Sequence, residues 1–141
     1  MESSDKTKIT VEATVNAPIE KVWSYWNSPE HITKWYFSAD DWHATYAENE
    51  LKVNGKFKTT MAARDGSFSF DFEGAYTNIQ KNKLIEYTIP DGRKVSVSFS
   101  DNGNETKVTE TFETETMNPI EMQKGGWQSI LNNFKKHTET N

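Results

Sequence analysis

No cysteine occurs in the 141 residues, which excludes disulfide staples and thiolate chemistry and leaves the redox compartment open. Arginine is scarce, with Arg64 and Arg93 the only two. Together with a formal charge of −5, that scarcity argues against a nucleic-acid partner, because a phosphate-binding face needs clustered Lys and Arg. No apolar run approaches membrane-spanning length, and the polar start from Met1 to Thr7 is unlike a signal peptide. The cytoplasm is therefore the expected location, with no membrane partner. P-loop, GxSxG, GxGxxG and HExxH patterns are all missing, so no catalytic constellation is named from motifs. His31, His43 and His137 fall in three separate segments without ligand spacing, so no metal site and no cofactor are expected.

What the chain does carry is aromatic bulk, at 13% of residues, enough for a bulky interior or for the lining of a cavity. A chain of this length supports one domain with a real core. The expectation is a single domain over 1–141, with 1–7 and 139–141 frayed.

Ile9, Val11, Ala13 and Val15 alternate with polar residues and predict a half-buried strand. Asn16-Ala17-Pro18 reads as a helix start with Asn16 or Ala17 at the cap. Ile19, Val22, Trp23 and Trp26 then follow at helical spacing. Ser28-Pro29 breaks that helix, and Ile32, Trp35 and Tyr36 suit a second short one. From Trp42 to Phe112, strands alternate with Asn54-Gly55, Asp65-Gly66, Asp91-Gly92 and Asn102-Gly103, dipeptides that suit tight hairpin turns. An antiparallel meander follows from that pattern. From Pro119 to about Thr138, Trp127, Ile130, Leu131 and Phe134 predict a long amphipathic helix.

Register follows by counting outward from each turn. A two-residue turn at Asp65-Gly66 sets Met61 opposite Phe70, Thr59 opposite Phe72 and Phe57 opposite Gly74, all on one face. The same treatment of Asn102-Gly103 sets Phe99 opposite Thr106, Val97 opposite Val108, and Val95 opposite Glu110, with Arg93 diagonal to Glu110. At Asn54-Gly55 a two-residue turn would aim Leu51 and Val53 outward, so a longer or bulged loop is expected. At Asp91-Gly92 it would bury Glu86 in place of Ile85, Tyr87 and Ile89, and there the hydrophobic pattern is followed instead.

Ala17-Pro18-Ile19-Glu20-Lys21-Val22-Trp23, then Pro29-Glu30 and Trp35, resembles the opening signature of the activator of heat-shock-protein-90 ATPase homologue family. That family lies within the START-like, birch-pollen-allergen-like superfamily. Val53-Asn54-Gly55-Lys56-Phe57, Phe72-Glu73-Gly74, Leu84-Ile85-Glu86-Tyr87-Thr88 and Gly126-Trp127 continue the match over about residues 8 to 137. The resemblance implies an α+β helix-grip fold: a curved antiparallel sheet around a long C-terminal helix, two short helices after the first strand, and a hydrophobic cavity between sheet and helix. It fixes no single activity, since relatives include co-chaperone domains, lipid and hormone binders and polyketide cyclases.

Phe68, Phe70 and Phe72 share a face with Met61, Val97, Phe99 and Phe112, forming either a solid core or the wall of an apolar pocket. Trp35, Tyr87 and Met122 are further lining candidates, with Gly126 and Ile130 on the inner face of the last helix. Gly125-Gly126 within that helix signals either close helix–sheet approach or space for a ligand. Glu110, between Val108 and Phe112, is a carboxylate on an apolar face. Its readings are a salt bridge to Arg93, a polar anchor for a ligand, or a catalytic group. The leading expectation is a non-enzymatic, monomeric binding domain for a small apolar molecule. The rivals are a chaperone-interacting or stress-response module, and a cyclase- or hydrolase-like enzyme using Glu110 and Tyr87.

Overall fold

Alternation sets the first element. Ile9, Val11 and Val15 are buried in β1 (Lys8–Val15) while Lys8, Thr10, Glu12 and Thr14 face solvent. This computed structural model describes residues 7–141, so the expected fraying of the first six lies outside the described residues. Two short helices follow, α1 (Ile19–Asn27) and α2 (Pro29–Trp35). Pro18 itself caps α1, its carbonyl accepting from the Lys21 and Val22 amides. The cap thus lies one or two residues beyond the expected Asn16 or Ala17, because the Ala17 amide is taken by Val15 O in a tight turn. Ser28 caps α2 with Pro29 in its first turn, as a helix-breaking Ser-Pro step allows.

Six strands make the meander: β2 (Trp42–Asn49), β3 (Lys56–Ala63), β4 (Ser69–Gln80), β5 (Leu84–Thr88), β6 (Lys94–Asp101) and β7 (Thr106–Glu113). With β1 they form one seven-stranded antiparallel sheet in the order β1-β7-β6-β5-β4-β3-β2. The sheet curls into a half-barrel, and α3 (Ile120–Thr140) packs across its inner side against β1. This is the helix-grip fold. The helix runs on to Thr140, past the point where fraying is expected.

The β3–β4 register is the one read from the turn: Met61 faces Phe70, Thr59 faces Phe72 and Phe57 faces Gly74. The β6–β7 register is not. Asp101 pairs with Thr106 across a four-residue loop, closed by Asn102 N to Glu105 O at 2.9 Å. Every partner therefore slides by two: Phe99 lies opposite Val108, Val97 opposite Glu110, and Val95 opposite Phe112. A two-residue slip leaves each side chain on its face but changes its neighbour. At Asp91-Gly92 the hydrophobic pattern prevails, with Ile85, Tyr87 and Ile89 buried. At Asn54-Gly55 a longer loop forms, in which Leu51 packs on the core and Val53 is exposed. The β4–β5 turn has no glycine; Asn82 supplies the left-handed conformation at φ 65°.

The core lies between the inner face of the sheet and the three helices. Trp23 meets Phe99 edge-on at 5.3 Å, while Trp26 and Trp35 each lie 4.8 Å from the fully buried Phe134 of α3.

Candidate functional site

The β3–β4 hairpin and the first half of α3 stand apart and leave a cleft of about 340 Å³. Met61, Phe70 and Phe72 line it from the sheet, a consequence of their shared face in the hairpin register. Met122, Gly126 and Ile130 line it from the helix, since residues four apart stack on one helical face. Tyr36, just past α2, and Trp127 complete the apolar walls; Phe72 lies 5.8 Å from Tyr36 and 6.0 Å from Trp127. A Cβ built on Gly126 or Gly125 would meet nothing within 4 Å. Close helix–sheet approach is therefore not why these glycines are there, and Gly126 opens onto the cleft.

The cleft's rim is polar and already paired. Gln123 is buried and staples the β7–α3 connection, its Nε2 donating to the Glu115 and Asn118 carbonyls at 3.0 and 2.8 Å. The Glu115 carboxylate accepts from the Asn118 and Met117 amides, and those bonds hold its pKa below the usual carboxylate range. Arg93 Nε donates to Asp91 at 2.8 Å.

That pairing corrects the expectation of an Arg93–Glu110 bridge. The register slip carries Glu110 away from Arg93, opposite Val97 on one side and Val11 on the other. Glu110 is only 4% exposed, and among the described residues its carboxyl makes no hydrogen bond or ion pair. Burial without a partner disfavours the charged form and pushes its pKa up to about 8. Burial first, then the Glu110 charge, raises the Tyr36 phenol well above its ordinary value, and burial first, then Tyr36 and Glu110, does the same for Tyr87, whose side chain is hydrogen-bonded to Tyr36. Three ionisable groups from α2's end, β5 and β7 thus converge in the interior, all held neutral.

Behind the cleft is a second, smaller cavity of about 40 Å³, lined among others by Trp35, Tyr36, Thr59, Tyr76 and Tyr87. It has room for about one water, whose share of liquid volume is roughly 30 Å³. Tyr36 borders both spaces and divides them. Tyr76 donates to Asn49 Oδ1 at the inner cavity's edge.

Of the residues singled out from sequence, Met61, Phe70, Phe72, Met122, Gly126 and Ile130 meet around the cleft, and Trp35 and Tyr87 around the inner cavity. Val97 and Phe99 are core residues, and Phe112 lies beneath Trp127 as its stacking partner. Phe68 stands outside, 60% exposed near the hairpin tip and edge-on to Trp42 at 6.1 Å. Tyr36, Trp127 and Gln123 line the cleft without having been singled out for it. The helical spacing of Gly126-Trp127 was the available signal for Trp127; none existed for Tyr36, which sits at a helix end. The sequence also hid a contact between His31 Nδ1 and His137 Nε2, 2.9 Å apart. Among the described residues no group of three or more potential ligands could hold a metal ion, and no helix is long and apolar enough to cross a membrane.

The family model described as Activator of Hsp90 ATPase homolog 1-like protein matches residues 16–139. A solution structure of a protein of that kind from Aeromonas hydrophila is 41% identical, with 95% of this chain and 93% of that one covered and a TM-score of 0.89. A Cytophaga hutchinsonii protein is 57% identical over the same shares, with a TM-score of 0.81. A Nitrosomonas europaea protein at 17% identity, 99% coverage of both chains and a TM-score of 0.83 shares the fold. No curated protein matches the chain.

Proposed function

The chain belongs to the Activator of Hsp90 ATPase homolog 1-like family, and from that premise we propose that it is a non-enzymatic binding domain. It holds a small, largely apolar molecule in the cleft between the β3–β4 hairpin and α3. The observation that carries this reading is the cleft itself. Its 340 Å³ falls at the lower end of the roughly 300–1,000 Å³ usual for small-molecule sites. Its walls are Phe70, Phe72 and Trp127, and Gly126 keeps the helix side open. The 40 Å³ inner cavity is too small for such a ligand on its own. Titration with a fluorescent apolar dye tests the proposal: saturable binding that Gly126→Leu abolishes supports it. Dye binding unaffected by Gly126→Leu counts against this location.

The second reading, a chaperone-interacting module, is favoured by one observation. Phe68, Met117, Ile120 and Met122 expose 60%, 88%, 50% and 62% of their surface, and Met122 among them lines the cleft. Exposed apolar groups of this kind suit a protein partner. Replacing Phe68 and Met117 by serine should weaken binding to an Hsp90-type chaperone in sedimentation experiments while leaving dye binding intact. Absence of any complex with the unmodified chain removes this reading.

A further inference from the structure

Among the described residues that line the cleft, Arg93 is the one cation. It closes the β5–β6 turn, where Asp91 holds it twice. One Asp91 carboxylate oxygen accepts from the Arg93 backbone amide at 3.1 Å, and the other accepts from its Nε at 2.8 Å. The Asp91 side chain is 52% exposed and that of Arg93 only 20%, so the guanidinium is drawn in while its partner stays in solvent. A guanidinium carries five N–H donors. Nε spends one, and among the described residues no protein group accepts from those on Nη1 and Nη2. Two other polar side chains on the cleft are already spent. Gln123 uses both ends of its amide on the β7–α3 connection, and the Glu115 carboxylate is turned onto the Met117 and Asn118 amides and the Asn118 side chain.

Resting on the reading of the cleft as a ligand site, we infer that its ligand is a monocarboxylate with an apolar body, the carboxylate received by Nη1 and Nη2 of Arg93. A largely buried donor fork without an acceptor is costly, so an acceptor is what this wall of the cleft lacks. A planar carboxylate matches two parallel guanidinium N–H groups, and such charge-assisted bonds are about twice as strong as neutral ones. Asp91 fixes the fork before the ligand arrives, so little side-chain freedom is lost on binding. The apolar body lies against Phe72, Trp127 and Ile130, which supply the bulk of the affinity. Asp91 and Glu115 oppose a further negative charge, but weakly. Water screens the half-exposed Asp91, and three donors already take up the charge of Glu115. An aromatic acid and a medium-chain fatty acid share the chemistry required.

Displacement of the apolar dye by four probes of similar shape tests the inference: naphthoate, acetylnaphthalene, isopropylnaphthalene and naphthylethylamine. At neutral pH the acid is expected to bind about tenfold or more tightly than the hydrocarbon, the scale of a hydrogen bond to a charged group, and more tightly than the ketone. Arg93→Leu should bind acid and hydrocarbon alike. Arg93→Lys should keep only part of the preference, because an ammonium offers charge without the fork. Decanoate, run beside naphthoate, separates a fatty acid from an aromatic one, and a preference for either over its uncharged counterpart supports the inference. Equal binding of acid and hydrocarbon to the unmodified chain overturns it while leaving the cleft a binding site. A ketone that binds more tightly than the acid overturns it in favour of a neutral head, and an amine that binds most tightly does so in favour of Glu115. An acid preference that survives in Arg93→Leu overturns the assignment to Arg93. Failure of the dye to bind at all defeats the binding reading and this inference together.

Discussion

The Phe112 ring lies flat against Trp127, with centroids 4.1 Å apart and planes 9° from parallel. It joins the last strand to the last helix, with Phe112 fully buried and Trp127 partly open on the cleft side. Trp127→Ala is expected to destabilise the fold by about 3 kcal/mol, the low end for loss of a large aromatic from a packed site. Trp127→Phe should lose much less, because a stacked ring remains. Urea denaturation midpoints for the two variants decide this, and equal losses would show that the stack is not what matters.

Two glycines should respond to the same methyl with opposite signs. At Gly126 a Cβ meets open space, so Gly126→Ala should stabilise by up to ~1 kcal/mol through helix propensity alone. At Gly74 the Cβ would come within 2.8 Å of the Phe57 ring and 3.1 Å of the Thr88 carbonyl. Gly74→Ala should therefore destabilise by about 1–3 kcal/mol through overpacking. Midpoints shifting the same way in both variants would contradict the geometry. Dye affinity should fall in Gly126→Ala and hold in Gly74→Ala.

Glu110 gives stability a definite slope against pH. Its folded-state pKa of about 8 exceeds the ordinary value of 4.5. Between those limits the folded chain holds a proton that the unfolded chain has released. Stability is therefore greatest below the lower limit and declines as pH rises, by at most about 1.4 kcal/mol per pH unit from this one group. Glu110→Gln has no such proton and should flatten that component. Comparing denaturation of the two proteins across this window measures the difference; parallel profiles would show that the acid is solvated.

The His31–His137 contact works in the opposite direction. The two facing nitrogens can share only one proton, and His31 is stacked on Tyr25 at 3.8 Å. Burial first, then the charges of His31, Lys34 and Lys21, lower the His137 pKa from 6.5. The folded chain thus binds fewer protons here than the unfolded one, and the stabilisation drains away as pH falls below 6.5. Amide-exchange protection in the last turn of α3, corrected for the intrinsic exchange rate at each pH, should fall in mild acid, and His137→Phe should remove that loss. No difference between the two proteins would leave the pair without a role in holding the helix.

Two periodicities made the fold legible. Alternation with period two placed Met61, Phe70 and Phe72 on the inner face, and the spacing of Trp127, Ile130, Leu131 and Phe134 placed the helix that covers them. The partner of a strand residue depends on something else, the number of residues in the turn. At Asp65-Gly66 the turn dipeptide and the hydrophobic pattern agree. At Asn102-Gly103 the Asp101 carboxylate accepts from the Gly103 amide at 2.9 Å and shapes a four-residue loop. Nothing in the face pattern reveals that choice, since both registers bury the same side chains. Arg93 and Glu110 were separated in this way. Tyr36 and the His31–His137 contact were illegible for a different reason, since each arises where elements remote in sequence come together.

The strand order has a consequence in time. β1 pairs only with β7, so Lys8 finds its partner Glu113 more than a hundred positions further along the chain. Each hairpin from β2 to β7 can close on its own neighbour as it emerges from the ribosome. β1 cannot, and its apolar face stays unprotected until nearly the whole chain has been synthesised. Loop closure on that scale is slow, and an unpaired strand is an aggregation hazard meanwhile. Lys8 and Glu12 are charged and outward on that strand, the placement that opposes edge-to-edge association of a waiting segment.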